Sequence, residues 1–265
     1  MITVGSLFSG IGGVELGLEC TGGFETVWQV EKDAYCRKVL AKHWPSVARF
    51  EDIRDVGAEN LDAADLICGG FPCQDVSIAG NREGIDGARS GLWTEFHRVL
   101  GELRPRYALI ENVPGLRYKR GGFGVVLRDL AEIGYDAEWE SIPAGLFGAP
   151  HKRERIFVVG YPHDSRESNR PIYDEAPRLS EMDSHPEHTV GARSGSLGRT
   201  WRGRQSLPWN STGGCTDSTL AVRVDDGLPH RMDRLRALGN AVVPQVAEFV
   251  GECILKDVHR RGENT

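Results

Sequence analysis

The feature that most constrains this chain is a unit that recurs along residues 1–160: a short apolar run, a turn, then a stretch with helical spacing. TVGSLF runs into the glycine turn SGIGG and then into VELGLEC, where Val14, Leu16 and Leu18 surround the acidic Glu15. ETVWQVE ends at Glu31 and is followed by DAYCRKVLAKHW, with Asp33 placed to cap a helix and Pro45 to stop it. FEDIRD follows a further strand edge, and ADLICGG and YALIENV read as buried strands separated by the helical GLWTEFHRVLGEL. Parallel strands need a crossover between them, so strand–turn–helix units in series predict an α/β fold with a doubly wound, mostly parallel sheet.

Residues 161–233 break the pattern, being rich in Ser, Pro, Gly and Arg with few apolar runs. Trp201, Leu207 and Trp209 can anchor a small loop-rich second domain there. The apolar period returns in RLRALGNAVVPQVAEFVGECIL, so the chain is expected to re-enter its first domain. The expected division is therefore 1–160 plus 234–265 as one domain and 161–233 as the other. No run approaches 18 apolar residues, so no membrane span is expected. MITVGSLFSG lacks a basic segment leading an apolar one, so no secretory signal is read and the expected location is cytoplasmic. The six cysteines show no C-x-x-C spacing and read as reduced thiols. His185, His188 and Cys215 are too few and too poorly spaced for a zinc site, so no metal is expected.

A net charge of −6 does not favour nucleic acid as a partner. The average conceals a segregation, because residues 188–214 carry Arg193, Arg199, Arg202 and Arg204 with no acid among them.

Several residues point to chemistry. The turn FSGIGG, Phe8 to Gly13, lets a ligand approach the backbone and opens onto a helix N-terminus. A dinucleotide fingerprint would place its third glycine at position 15, which is Glu15, so the turn suits an adenosine ligand without phosphates better than NAD. Glu31, ending the second strand, can take both hydroxyls of a ribose, while Asp52 can accept from an adenine amino group with Ile53 on the ring. In GGFPCQ, Pro72 restrains the backbone before Cys73, and the polar, glycine-rich stretch to Ser90 is expected to act as a lid. A thiol there is a nucleophile once its pKa is lowered. Glu111 ends its strand and should face the same sheet edge as Cys73. In HKRERIF, Arg153 and Arg155 stand two apart, as on one face of a strand.

The ordered set FSGIGG, Glu31, Asp52-Ile53, GGFPCQ, ENV, R-x-R and RLRALGNAVVP resembles the cytosine-5 DNA methyltransferases of bacterial or phage type, over about 1–160 and 234–255. The resemblance implies a Rossmann-like core that binds S-adenosyl-L-methionine and releases S-adenosyl-L-homocysteine. It implies that Cys73 adds to C6 of a cytosine flipped out of duplex DNA, so that C5 can take the methyl group. Glu111 would contact N3 and the exocyclic amine, Arg155 would hold O2, and Arg153 would meet a nearby phosphate. Phe8, Gly10, Ile11, Gly12 and Gly13 would line the cofactor pocket with Glu31, Asp52 and Ile53. Pro72, Leu92, Asn240 and Ala241 would complete it. Gln74, Ser77 and the four arginines of 188–214 would contact the DNA. A monomer is expected, with a cognate restriction endonuclease a possible companion but not a required one, and the net negative charge predicts weak non-specific DNA binding whose affinity falls steeply with salt.

Three positions depart from the family pattern: His151 stands where Gln is usual, Lys32 where many members place an aromatic, and GLPHRMDRLRAL where an arginine- and leucine-rich segment is usual. An RNA cytosine-5 methyltransferase is the nearest alternative, but its Cys-Phe-Thr segment is replaced here by YPHDSR. A catalytically inactive DNA-binding regulator is a second, opposed by the presence of Cys73, Glu111 and Arg155. An NAD oxidoreductase is a third, opposed by Glu15.

Overall fold

A computed structural model describes residues 1–72, 91–118, 122–149, 151–163, 171–173 and 231–261. The described residues fall in one compact unit drawn from Met1–Glu175 and His230–Thr265. In chain order its elements are β1 (Ile2–Leu7), α1 (Gly13–Cys20), β2 (Phe24–Val30), α2 (Ala34–His43), β3 (Ala48–Phe50), β4 (Leu66–Gly69) and α3 (Gly91–Leu103). β5 (Tyr107–Asn112), α4 (Phe123–Glu132), β6 (Tyr135–Pro143), β7 (Glu154–Pro162), α5 (Arg231–Asn240) and α6 (Pro244–Arg260) follow.

Local chemistry explains the helices. The Asp33 carboxylate accepts from the Tyr35 and Cys36 amides at 2.8 and 2.9 Å and so starts α2, an N-cap worth about 1 kcal/mol. Pro45 follows its C-cap, Trp44, and disfavours continuation. α3 buries Trp93, Phe96, Val99 and Leu100 on one stripe, each such side chain contributing about 1.5–3 kcal/mol. α6 begins with Pro244 in its first turn and buries Val246, Val250, Ile254 and Val258, a repeat of four that keeps one face inward.

The sheet order is β3-β2-β1-β4-β5-β7-β6. β1 to β5 run parallel, and β7 lies antiparallel to both its neighbours. The chain winds outward from β1 in one direction through β2 and β3, then returns to β4 and winds the other way. The crevice between the ends of β1 and β4 is therefore the switch point at which open α/β sheets take ligands. Register makes this edge even: Leu7 pairs with Val30 and Gly69, Val30 with Phe50, and Gly69 with Ile110. The next residue on each strand, Phe8, Glu31, Glu51, Gly70 and Glu111, thus stands in one row. Because β7 is antiparallel, its beginning rather than its end reaches the same edge.

α4 and β6 have no counterpart in the sequence reading. β6 is an edge strand whose exposed positions are polar except Trp139, which stacks edge-on to Phe123 at 5.1 Å. The expectation that Arg153 and Arg155 share a strand face is corrected: β7 starts at Glu154, and Arg153 precedes it with φ of 31°. β7 runs on to Pro162, while Ile172 and Tyr173 are buried, with the Tyr173 hydroxyl donating to the Phe157 carbonyl at 3.3 Å. Of the region 161–233 expected to form a second domain, only 161–163, 171–173 and 231–233 are described. Cys20, Cys36, Cys68 and Cys253 carry no disulfide. Among the described residues, no helix is long and apolar enough to cross a membrane.

Candidate active site

A cavity of about 730 Å³ opens at the carboxyl edge of the parallel strands. At one end lies the turn after β1. Phe8, Gly10 and Gly12 have φ of 55°, 57° and 85°, so three of five residues are left-handed. Glycine takes that conformation freely, whereas for Phe8 it costs of order 1–3 kcal/mol. Phe8, Gly10, Ile11 and Gly13 line the cavity. Gly12 is the N-cap of α1 and has no side chain to cap the helix, which leaves early amide donors unpaired within it.

Glu31 locks this turn. Its Oε2 accepts from the Gly10 amide and its Oε1 from the Asp33 amide, both at 2.7 Å. Each oxygen retains a further lone pair for a ligand hydroxyl. Asp52 caps the short turn Ile53–Asp55 and accepts from the Arg54 amide at 3.1 Å. Lys32 reaches the same carboxylate at 3.1 Å. The Arg54 amide, with Lys32 behind it, holds the Asp52 carboxyl below its ordinary range. Ile53 is buried, and with Leu92 and Pro72 it lines the cavity.

The other end belongs to β5 and β7. Arg155 Nε meets Glu111 Oε1 at 2.9 Å. A Cβ on Gly70 would lie 2.5 Å from Glu111 Oε2, so only glycine leaves the carboxyl its place. Burial raises the Glu111 pKa to about 7 against the opposing pull of Arg155. A carboxyl poised near neutrality can both give and take a proton. Asn112 Nδ2 donates to the Phe71 carbonyl at 3.1 Å and holds the exit of β4 against β5. Pro72, which follows, lines the cavity with Glu111 and Arg155.

Arg153 has a different environment. Its Nη2 donates to the carbonyls of Leu238, Gly239 and Ala241 at 2.9, 2.6 and 2.6 Å, and its Nε to Ala241 at 3.1 Å. Asn240 and Ala241, 85 residues or more beyond Arg155 in sequence, line the cavity. The return of the chain after residue 234 therefore supplies a wall of the site. His151 is exposed. Cys73, Gln74, Ser77, Arg193, Arg199, Arg202 and Arg204 lie outside the described residues.

The reading of Glu15 is also corrected. It does not stand in the turn as a bar to phosphate: its side chain is buried, 1% exposed, and does not line the cavity. Among the described residues neither carboxyl oxygen has a partner in hydrogen-bond geometry, and burial raises its pKa to about 7 against the weaker opposing pull of the nearby Ser6 and Ser9 hydroxyls. An acid two residues after the glycine turn gives no sequence sign of which way it points. The Arg153 contacts were equally hidden, because backbone carbonyls carry no residue signature.

A sequence model of the family described as C-5 cytosine-specific DNA methylase matches residues 2–197 of this 265-residue chain. The chain belongs to that family. It is 41% identical over 160 residues to the type II methyltransferase M2.BsuMI of Bacillus subtilis (strain 168), covering 58% of this chain and 40% of that one. It is 36% identical over 165 residues to the type II methyltransferase M.Bsp6I of Bacillus sp. (strain RFL6), covering 61% and 52%. The crystal structure of the S. pombe Dnmt2 methyltransferase matches with a TM-score of 0.53 over 63% of this chain and 53% of that one. At 24% identity that likeness speaks for the fold alone. This family member spans about half the length of the curated relatives it matches.

Proposed function

We propose that this C-5 cytosine-specific DNA methylase family member transfers a methyl group from S-adenosyl-L-methionine to C5 of a cytosine in a short duplex DNA sequence. The observation that carries the reading is the row at the sheet edge. An acid-walled, glycine-turned end lies beside a buried Glu111–Arg155 pair, and both open on one cavity.

The residues fit the cofactor. Glu31, Asp33, Glu51 and Asp52 line the cavity against the cations Lys32 and Arg236, an excess of acid that disfavours phosphate and suits a cationic ligand bearing hydroxyls. Among the described residues, nothing lies within 4 Å of where a Cβ on Gly10 would stand, which leaves its backbone open to a ligand. Glu31 would hold the ribose and Asp52 the adenine amine, with Ile53, Pro72, Leu92 and Asn240 closing around them. S-adenosyl-L-methionine supplies an electrophilic methyl when bound and leaves as S-adenosyl-L-homocysteine.

The chain's own residues supply the rest. The Cys73 thiolate forms a bond to C6 of the extruded cytosine as the C5–C6 π bond breaks, and that electron pair spreads over C5 and through C4 to N3, which leaves C5 a nucleophilic enamine carbon. Glu111, protonated near neutrality, donates to N3 and so stabilises the developing anion, while Arg155 holds O2. After C5 is methylated, water takes its proton, the freed pair re-forms the C5–C6 double bond and expels the Cys73 thiolate, and N3 returns its proton to Glu111. We assign 161–233 as the target-recognition domain, with Arg193, Arg199, Arg202 and Arg204 at bases or phosphates and Gln74 and Ser77 near the extruded nucleotide. The protein is proposed to act as a monomer in the cytoplasm.

The test is to incubate the protein with S-adenosyl-L-methionine and mixed-sequence duplex DNA and to read 5-methylcytosine at single-base resolution, beside Cys73→Ala. Methylation at one short motif, absent from the variant, is expected. No methylation of DNA despite cofactor binding would redirect the reading to RNA or to an inactive regulator.

A further inference from the structure

Arg153 is two residues before Arg155, but while Arg155 meets Glu111 the hydrogen bonds of Arg153 go to a different element. All four reach the C-terminal end of α5 and the residue beyond it. The last carbonyls of a helix have no partner within it and form the negative end of its dipole, so a guanidinium fork there satisfies both demands. α5 is also a wall of the cavity, to which it presents Asp233, Arg236 and Asn240. On the opposite side the segment meets the cofactor turn: a Cβ on Gly13 would lie 2.6 Å from the Val242 carbonyl oxygen. The backbone from Leu238 to Val242 is thus held between Arg153 and the start of α1.

We propose that Arg153 is a positioning residue that caps α5 and thereby sets Asn240 and Ala241 against the cofactor, joining the base-side strand β7 to the cofactor wall. This rests on the cofactor reading above. Arg153 acts on cofactor binding through backbone carbonyls and needs no DNA to do so. A phosphate-contacting arginine would behave in the opposite way.

Calorimetric titration with S-adenosyl-L-homocysteine, without DNA, separates the two. Arg153→Ala is expected to weaken binding about tenfold, and Arg153→Lys, which keeps the charge but loses the fork, about threefold. Asn240→Ala should weaken binding comparably, and the double variant Arg153→Ala/Asn240→Ala should be little worse than either single change. Affinity for duplex DNA without cofactor should stay at the wild-type level in Arg153→Ala. Wild-type S-adenosyl-L-homocysteine affinity in Arg153→Ala, with weakened DNA binding, would overturn the proposal in favour of a phosphate contact. Should the alanine variant fail to fold by circular dichroism, Arg153→Lys decides on the same criterion. If the wild-type protein itself binds no S-adenosyl-L-homocysteine, the cofactor reading fails rather than the role of Arg153.

Discussion

Two carboxylates on the same sheet edge behave in opposite ways. Asp52 follows the short outer strand β3, caps a turn, and is held ionised by the Arg54 amide and then by Lys32. Glu111 lies one residue before the end of β5, between β4 and β7, and burial lifts its pKa to about 7 although an arginine touches it. The difference lies in position, not residue type. On the proposed function, the carboxyl at the margin of the sheet serves as a fixed acceptor for the cofactor and the one in its middle as a proton carrier. Enzymes separate acid and base roles by this kind of environmental tuning.

The comparison breaks most visibly in kinetics. Glu111→Gln should lower kcat about 10²- to 10⁴-fold and leave S-adenosyl-L-homocysteine affinity within about twofold. Glu31→Ala should do the reverse to binding, weakening it about 10- to 100-fold, because the change removes charged acceptors and frees the Gly10 turn. Equal losses of binding in both variants, read by calorimetry beside steady-state rates, would show that the two ends are not separate.

A third carboxyl sharpens the comparison through stability. Glu15 is buried, and burial lifts its pKa to about 7, above the ordinary 4.5. The folded chain therefore keeps a proton that the unfolded chain releases between pH 4.5 and 7. Stability from this site is present in full below about 4.5 and is lost as pH rises through 7. Glu15→Gln should raise stability by about 1–3 kcal/mol at pH 8 relative to wild type and by much less at pH 5. Denaturant melts at the two pH values check this. The smallest effect belongs to Lys32→Ala. Its exposed pair with Asp52 is worth about 0–1 kcal/mol, so S-adenosyl-L-homocysteine affinity should change less than about threefold.

Much of the fold was legible where side-chain pattern and backbone demand coincide. GLWTEFHRVLGEL is α3 from Gly91 to Leu103, and Asp33 caps α2 where its residue type says a cap should stand. The row of Phe8, Glu31 and Glu111 followed from strand ends, since parallel strands must present those ends together. β6 was hidden because an edge strand carries charges on its open face, and its exposed polar residues break the apolar run that marks a central strand. The direction of β7 was hidden because alternation reads the same from either end. That direction places Arg155 rather than Tyr161 beside Glu111. Arg153 was legible as an arginine of a family motif, while its partners, being carbonyls of Leu238, Gly239 and Ala241, left no mark in the sequence.

The division of labour between the two ends rests on the protonation of Glu111. A ¹³C-detected carboxyl titration of the DNA-free protein measures it directly, with Glu111→Gln and Glu15→Gln used to assign the signals. The expected result is a carboxyl with a midpoint near pH 7 that disappears in Glu111→Gln and persists in Glu15→Gln. A Glu111 signal titrating at the ordinary 4.5 would contradict it.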